Sequence, residues 1–181
     1  MINEVLEDAE HKMDQAVVHT IHEFGGIRTG RANPGLLSRI TVDYYGTQTP
    51  LQQIAGFSVP EARLLVIQPY DKTAIPAIER AIQEGDLGLN PSNDGNVIRL
   101  AFPSLTEERR KDLIRLVRNL AEDGRVAIRN VRRHAKDHLE AEGVSEDEVH
   151  RAEKLLQAMT DKHIERLDEV LLAKEEELLE V

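Results

Sequence analysis

From Thr106 to about Glu142 the sequence keeps an unbroken helical periodicity. Leu113, Val117, Leu120, Ala127, Val131 and Ala135 recur at helical spacing and form one apolar stripe on a rod about 55 Å long. A helix with a single apolar stripe cannot bury it alone, so this segment demands helical partners of similar reach. The chain supplies two. From Ile2 to about Ile27, the residues Ile2, Leu6, Ala9, Met13, Val17, Ile21 and Phe24 share one face. After Gly143, a Ser145-x-x-Glu148 capping box opens a last helix carrying Val149, Ala152, Leu156, Met159, Leu167, Val170 and Leu171. Thr106 is a good N-cap for the middle helix, and Glu107 and Glu108 complement its dipole. Only 3 % of residues are aromatic and 31 % are charged. A core of Leu, Ile, Val and Ala under a heavily charged surface suits packed helices, and an antiparallel three-helix bundle is the economical solution. Gly25, Gly26 and Gly124 are expected to weaken it locally, by about 1 kcal/mol each relative to Ala.

Between the first helix and the second the pattern changes. Asn33, Pro34 and Gly35 break the helix; Ile40, Val42 and Tyr44 then alternate with Thr41 and Asp43, as in a strand. Leu64–Ile67 and the run Val97, Ile98, Leu100 are further strand candidates, and Asn93-Asp94-Gly95 is a turn. One short helix fits, with Asp71 as N-cap, Ile75, Ile78 and Ile82 on one face and Gly85 as the stop. The expected fold class is therefore α+β in two domains. Residues 1–29 and 106–181 form the bundle, and residues 30–105 are an inserted small β/α/β domain. The chain connects them twice, near 29–33 and 102–105, with Gly or Pro in both strands. These segments (Thr29, Gly30, Ala32, Asn33; Phe102, Pro103, Ser104, Leu105) are either a hinge or simple boundary breakers.

Function points to charge. Lys111, Arg115, Arg118, Arg125, Arg129, Arg132 and Lys136 are spaced by threes, fours and one seven along the long helix, interrupted only by Glu122. This stripe is displaced by two residues from the apolar one, about 200° of rotation, which points it away from the core. Arg109, Arg110 and Arg133 widen it, and Arg28 and Arg31 form a second basic group. A salt-bridged, solvated face is the plain alternative. Against it, acidic residues are scarce between Arg125 and Lys136 and gather instead from Glu146 to Glu180. A stripe of unpaired arginines repels itself and suits a phosphate backbone. A net charge of −10 then signifies polarity, one basic face on an acidic body, rather than exclusion of nucleic acid.

Other chemistries find little support. Cysteine is absent, so neither disulfides nor thiol catalysis arise. The N-terminus lacks the basic and apolar regions of a signal peptide, and no apolar run is long enough to span a membrane. His134 and His138 have metal-ligand spacing, but Ala135 replaces the Glu of a zincin motif and no third ligand stands out. Residues 90–96 lack the acids of a calcium loop, and 28–32 is no P-loop. Neither metal nor cofactor is expected, nor is enzymatic activity. A helical adaptor that binds only proteins is the remaining rival.

The string Ile27-Arg28-Thr29-Gly30-Arg31-Ala32-Asn33-Pro34 resembles the hinge region of bacterial ribosome recycling factors. So do Asp43-Tyr44-Tyr45-Gly46 with Thr49-Pro50-Leu51, and Asp86-Leu87-Gly88-Leu89-Asn90-Pro91. Leu105 to Lys111 and Val126 to Arg133 complete the series, in the family's order and along nearly the whole chain. The resemblance implies an L-shaped, cytoplasmic, monomeric protein. Its bundle would dock on rRNA of the large ribosomal subunit near the peptidyl-transferase region. With elongation factor G and GTP it would split the post-termination ribosome, releasing mRNA and tRNA. Arg129, Arg132 and Arg133 match the family's rRNA-contacting helix, and Arg28 and Arg31 its second basic motif. By the same reading Arg109, Arg110, Lys111, Arg118, Arg125 and Lys136 extend the rRNA-binding face.

Overall fold

In chain order the elements are α1 (Ile2–Gly25), β1 (Thr41–Tyr44), β2 (Thr47–Pro50), α2 (Leu51–Ile54), β3 (Ala55–Glu61), β4 (Leu64–Pro69), α3 (Ile75–Glu84), β5 (Pro91–Asn93), β6 (Ile98–Ala101), α4 (Glu107–Ala141) and α5 (Glu146–Leu179). The computed structural model describes residues 1–180. Their contacts form two units, Met1–Arg28 with Glu107–Glu180, and Thr29–Thr106.

In the first unit each long helix packs against the other two. Near one end Leu139, Val149 and Ala152 meet Ile2, Val5 and Leu6; further along Ala9, Ala135 and Leu156 cluster. Thus α1 and α5 run in one direction and α4 runs against both. Gly143, at φ 71, makes the left-handed turn between α4 and α5. Ser145 opens α5, but its hydroxyl bonds the Glu148 carboxylate at 2.7 Å and makes no backbone cap, so the expected reciprocal capping box does not form. Among the described residues no helix is long and apolar enough to cross a membrane.

The buried seam differs from the periodic reading in ways that matter for the site. On α4 it consists of Leu113, Val117, Ala121, Gly124, Ile128, Ala135 and Leu139, whereas Ala127 is exposed and Leu120 and Val131 are half-buried. On α1 Thr20 is buried in place of Ile21, its hydroxyl donating to the Ala16 carbonyl at 3.0 Å. A Cβ added to Gly124 would lie 2.5 Å from Thr20 Oγ1 and 2.6 Å from Leu167 Cδ1. Gly124 is therefore no defect; it lets three helices approach closely. On α5 Thr160 and His163 join the seam. The His163 ring ties α5 to α1, with Nδ1 2.7 Å from the Met159 carbonyl and Nε2 2.8 Å from Asp14 Oδ1.

The second unit is built on a four-stranded antiparallel sheet of order β3-β4-β6-β5, with β1 and β2 as a separate hairpin. Leu65, Ile67, Ile98 and Leu100 alternate inward from β4 and β6 and pack with Ile75, Ile78 and Ile82 of α3. The strands without a clear apolar alternation are β2, exposed along most of its length, and the sheet edges β3 and β5, which carry Pro60 and Pro91. The β1–β2 hairpin turns through Tyr45 and Gly46, at φ 51 and 80, the signature of a type I′ turn. Tyr45 is rarely found in that conformation. It is held there by its hydroxyl, which donates to Asp71 at 2.9 Å, and by edge-on contact with Tyr44.

Asp71 caps the short turn Lys72–Ala74 rather than α3 itself, whose N-cap is Ala74, and it accepts from the backbone and hydroxyl of Thr73. Those two bonds, followed by Tyr45, draw its carboxyl from 3.8 to about 2. The carboxyl of Asp94 is likewise lowered, by the backbone N–H groups of Val97 and Asn96 and then by Arg99. Folded-state values below the unfolded ones mean stability that is present above the ordinary carboxylate range and lost as pH falls through the folded values. The insert is thus expected to lose stability as pH drops from about 4 toward 2, and Asp71→Asn with Asp94→Asn should flatten that dependence. All three tyrosines, and no tryptophan, lie in this unit, so near-ultraviolet dichroism of tyrosine reports its unfolding separately from the bundle.

Candidate nucleic-acid interface

The basic residues of α4 do not point directly away from the core. Because the buried seam includes Ala121, Gly124 and Ile128, the stripe of Arg118, Arg125, Arg129 and Arg132 sits about 100° from it, one residue step rather than two. The stripe therefore borders α5. Arg118 Nε lies 2.5 Å from Glu175, and Arg125, whose side chain is only 20 % exposed, reaches Asp168 at 2.6 Å and Glu122 at 3.0 Å. Lys136 Nζ lies 2.5 Å from Glu153, Arg129 is 3.4 Å from Glu122, and Arg132 bonds the Gln157 amide oxygen. The expectation of an unpaired stripe is corrected: acids are scarce on α4 between Arg125 and Lys136, but Glu107, Asp112, Glu122 and Glu140 of α4 pair with the stripe and further carboxylates arrive from α5.

The electrostatics follow from these pairs. The hydrogen bond and charge of Glu175 raise the Arg118 pKa, and those of Glu153 raise that of Lys136. The Glu153 carboxyl is lowered in turn, chiefly by the bond from Lys136. Arg118 and Lys136 lie at the bundle surface, so these pairs orient side chains more than they hold the bundle together.

Where α4 and α5 converge, a groove of about 460 Å³ is lined by Arg129, Arg132, Arg133 and Lys136, faced by Glu153 and Gln157. Four of the expected binding residues meet there. Lys111 lies near the start of α4, paired with Glu107 at 3.1 Å. Arg109 and Arg110 fall off the stripe on the helix wheel, Arg110 half-buried. The second basic group is divided, Arg28 in the bundle unit and Arg31 in the insert. The sequence reading missed α5's share of the site. Its signal was available: Glu153, Gln157, Asp168 and Glu175 are separated by 4, 11 and 7 positions, which keeps them on one helical face.

Ala32 and Phe102, expected in the hinge, are buried in the insert's core, and their backbone N–H groups bond the carbonyls of Ala62 and Arg63. Asn33 caps the turn Pro34–Leu37. Motion at Ala32 and Phe102 would break that packing, whereas Asn33 is exposed.

Fold and site define a two-unit α+β protein whose bundle presents a cationic groove along one long helix. Residues 20–179 match the family described as Ribosome recycling factor. Similar proteins include the ribosome-recycling factors of Thermobifida fusca (strain YX) and Acidothermus cellulolyticus, each 57 % identical, with all of both chains covered. A ribosome recycling factor structure solved in solution is 46 % identical, covers 99 % of this chain and 98 % of that one, and has a TM-score of 0.78. A second structure, also 46 % identical, covers 99 % of both chains at a TM-score of 0.64. It comes from an assembly described as the T. thermophilus ribosome recycling factor and the E. coli elongation factor G bound to the E. coli post-termination complex. The chain belongs to the ribosome recycling factor family, a family of translation factors.

Proposed function

We propose that the chain does its family's work in the cytoplasm as a monomer without cofactor. The bundle docks on large-subunit rRNA of the post-termination ribosome near the peptidyl-transferase region. With elongation factor G and GTP the protein then splits the ribosome, and mRNA and tRNA leave. The observation that carries this reading is the convergence of Arg129, Arg132, Arg133 and Lys136 on one groove in a chain of this family. Guanidinium groups on a rigid helix fit phosphate oxygens, whose binding needs position and charge but no covalent step. The assembly of a relative with elongation factor G on the post-termination complex supports the same partners.

The pivot narrows to the stretches outside the insert's core, residues 29–31 and 103–106. In this mechanism the GTPase supplies the work, the bundle the foothold and the insert the lever.

The direct test is Arg132→Ala. Sedimentation with large ribosomal subunits should show weaker binding, with a slope of log affinity against log salt shallower by about 0.7 to 0.9, one phosphate contact. A folded variant that binds as tightly as the parent at low and moderate salt would overturn the docking surface. Salt-insensitive capture of proteins, without binding to subunits, would favour the adaptor instead.

A further inference from the structure

The α4–α5 contacts sort the cations of the stripe into two sets. Arg118, Arg125 and Lys136 each meet a carboxylate of α5: Glu175, Asp168 and Glu153. Between Arg125 and Lys136 the pattern changes. Arg129 has only Glu122 of its own helix, at 3.4 Å, and among the described residues Arg133 has no carboxylate partner. Arg132 is held by the amide oxygen of Gln157, whose nitrogen donates in turn to Asp161 at 2.8 Å.

The difference between Gln157 and its acidic counterparts is one of charge, not size. A carboxylate at a cation's side both orients and neutralises it. An amide accepts the same hydrogen bond and leaves the positive charge uncompensated. Anchoring by Asp161 fixes the amide with its oxygen toward the guanidinium. Arg132 is therefore positioned at full charge in the middle of the groove, while the cations at either end are already occupied by internal anions.

We propose that α5 is a charge selector for the RNA-binding side of α4. This rests on the docking reading above. Glu153, Asp168 and Glu175 compete with phosphate at Lys136, Arg125 and Arg118, and Gln157 is a positioning residue that keeps Arg132 available. Only an RNA surface that places phosphates against Arg132 and Arg133 binds without displacing a carboxylate, since Arg129 keeps Glu122 of its own helix at 3.4 Å. Random RNA, which needs the whole stripe, meets internal competition and like-charge repulsion at the ends. The acidic helix thus confers specificity on a basic one.

Two nearly isosteric substitutions have opposite expected signs. Gln157→Glu neutralises Arg132: affinity for large ribosomal subunits should fall about tenfold, and the salt slope should become shallower by about 0.7 to 0.9. Glu153→Gln releases Lys136: affinity for an unrelated RNA duplex should rise several-fold more than affinity for subunits, with a steeper salt slope. Gln157→Ala removes the positioning contact but adds no charge, so it should weaken binding while leaving the slope unchanged. Melting curves establish that each variant is folded, and if Gln157→Glu does not fold, Glu153→Gln carries the test. If the parent binds subunits, Arg132→Ala weakens it, and neither Gln157→Glu nor Glu153→Gln moves a salt slope, the selector is overturned and docking stands. If Arg132→Ala also leaves subunit binding unchanged, the docking surface itself fails.

Discussion

A disulfide closed between residues 29–31 and 103–106 should leave binding to the large ribosomal subunit intact and stop subunit splitting. The chain has no cysteine of its own, so a single engineered pair forms without competition. The pair must be chosen with Cα atoms about 4.4 to 6.8 Å apart, or the bond strains the backbone it is meant to test. The expectation follows from where the rigid parts end. Ala32 and Phe102 are locked into the insert's core, and α4 begins at Glu107. In the proposed mechanism rotation of the insert is absorbed by the few residues in between, and a cross-link there removes that freedom while sparing the arginines of the groove. Splitting is measured by light scattering with elongation factor G and GTP. Activity should return on reduction, which separates loss of motion from damage to the fold. Full splitting by the oxidised protein would show that the swing is unnecessary.

The second large effect concerns stability. Gly124→Val should destabilise the bundle by about 3 kcal/mol, at the upper end of what overpacking costs. A β-branched side chain at that point collides with Thr20 and Leu167. Leu167 can move the end of its side chain; Thr20 is buried and bonded to the Ala16 carbonyl, so it yields less. Gly124→Ala is the sharper probe. Helix propensity alone favours alanine by about 1 kcal/mol, yet the contact predicts net loss. Thr20→Ala should recover part of that loss in the double variant, a coupling readable in urea unfolding followed by far-ultraviolet dichroism. A Gly124→Ala protein more stable than the parent would mean that the glycine is only a weak helix former.

Gly124 also illustrates where sequence reading stops. Periodicity found α1, α4 and α5 because spacings of three and four repeat for many turns. The same test followed Leu120, Ala127 and Val131 and passed over Ala121, Gly124, Ile128 and Leu139, because apolar residues flank the seam and spacing alone does not say which of them pack. In the insert β1 was legible by the alternation of Val42 and Tyr44, and β4 and β6 by short apolar runs, Leu64–Ile67 and Val97, Ile98, Leu100. The strands β2, β3 and β5 were not. They are exposed along most of their length or lie at sheet edges with Pro60 and Pro91, and pairing with a neighbour rather than apolar pattern makes them strands.

The same division runs through the site. The row Arg118, Arg125, Arg129, Arg132, Lys136 is written in consecutive turns of one helix, so its existence and its single face are local facts that the amino-acid order decides. Which of those charges remain available is not local. Arg132 meets Gln157 across 25 positions of chain, Arg125 meets Asp168 across 43, and Arg118 meets Glu175 across 57. Those pairings depend on the register of α5 against α4, which the close approach at Gly124 and the burial of Ile128, Leu139 and Leu156 establish. Local periodicity made the helix basic on one side; packing of a second helix decided which of its arginines face outward with their charge uncompensated.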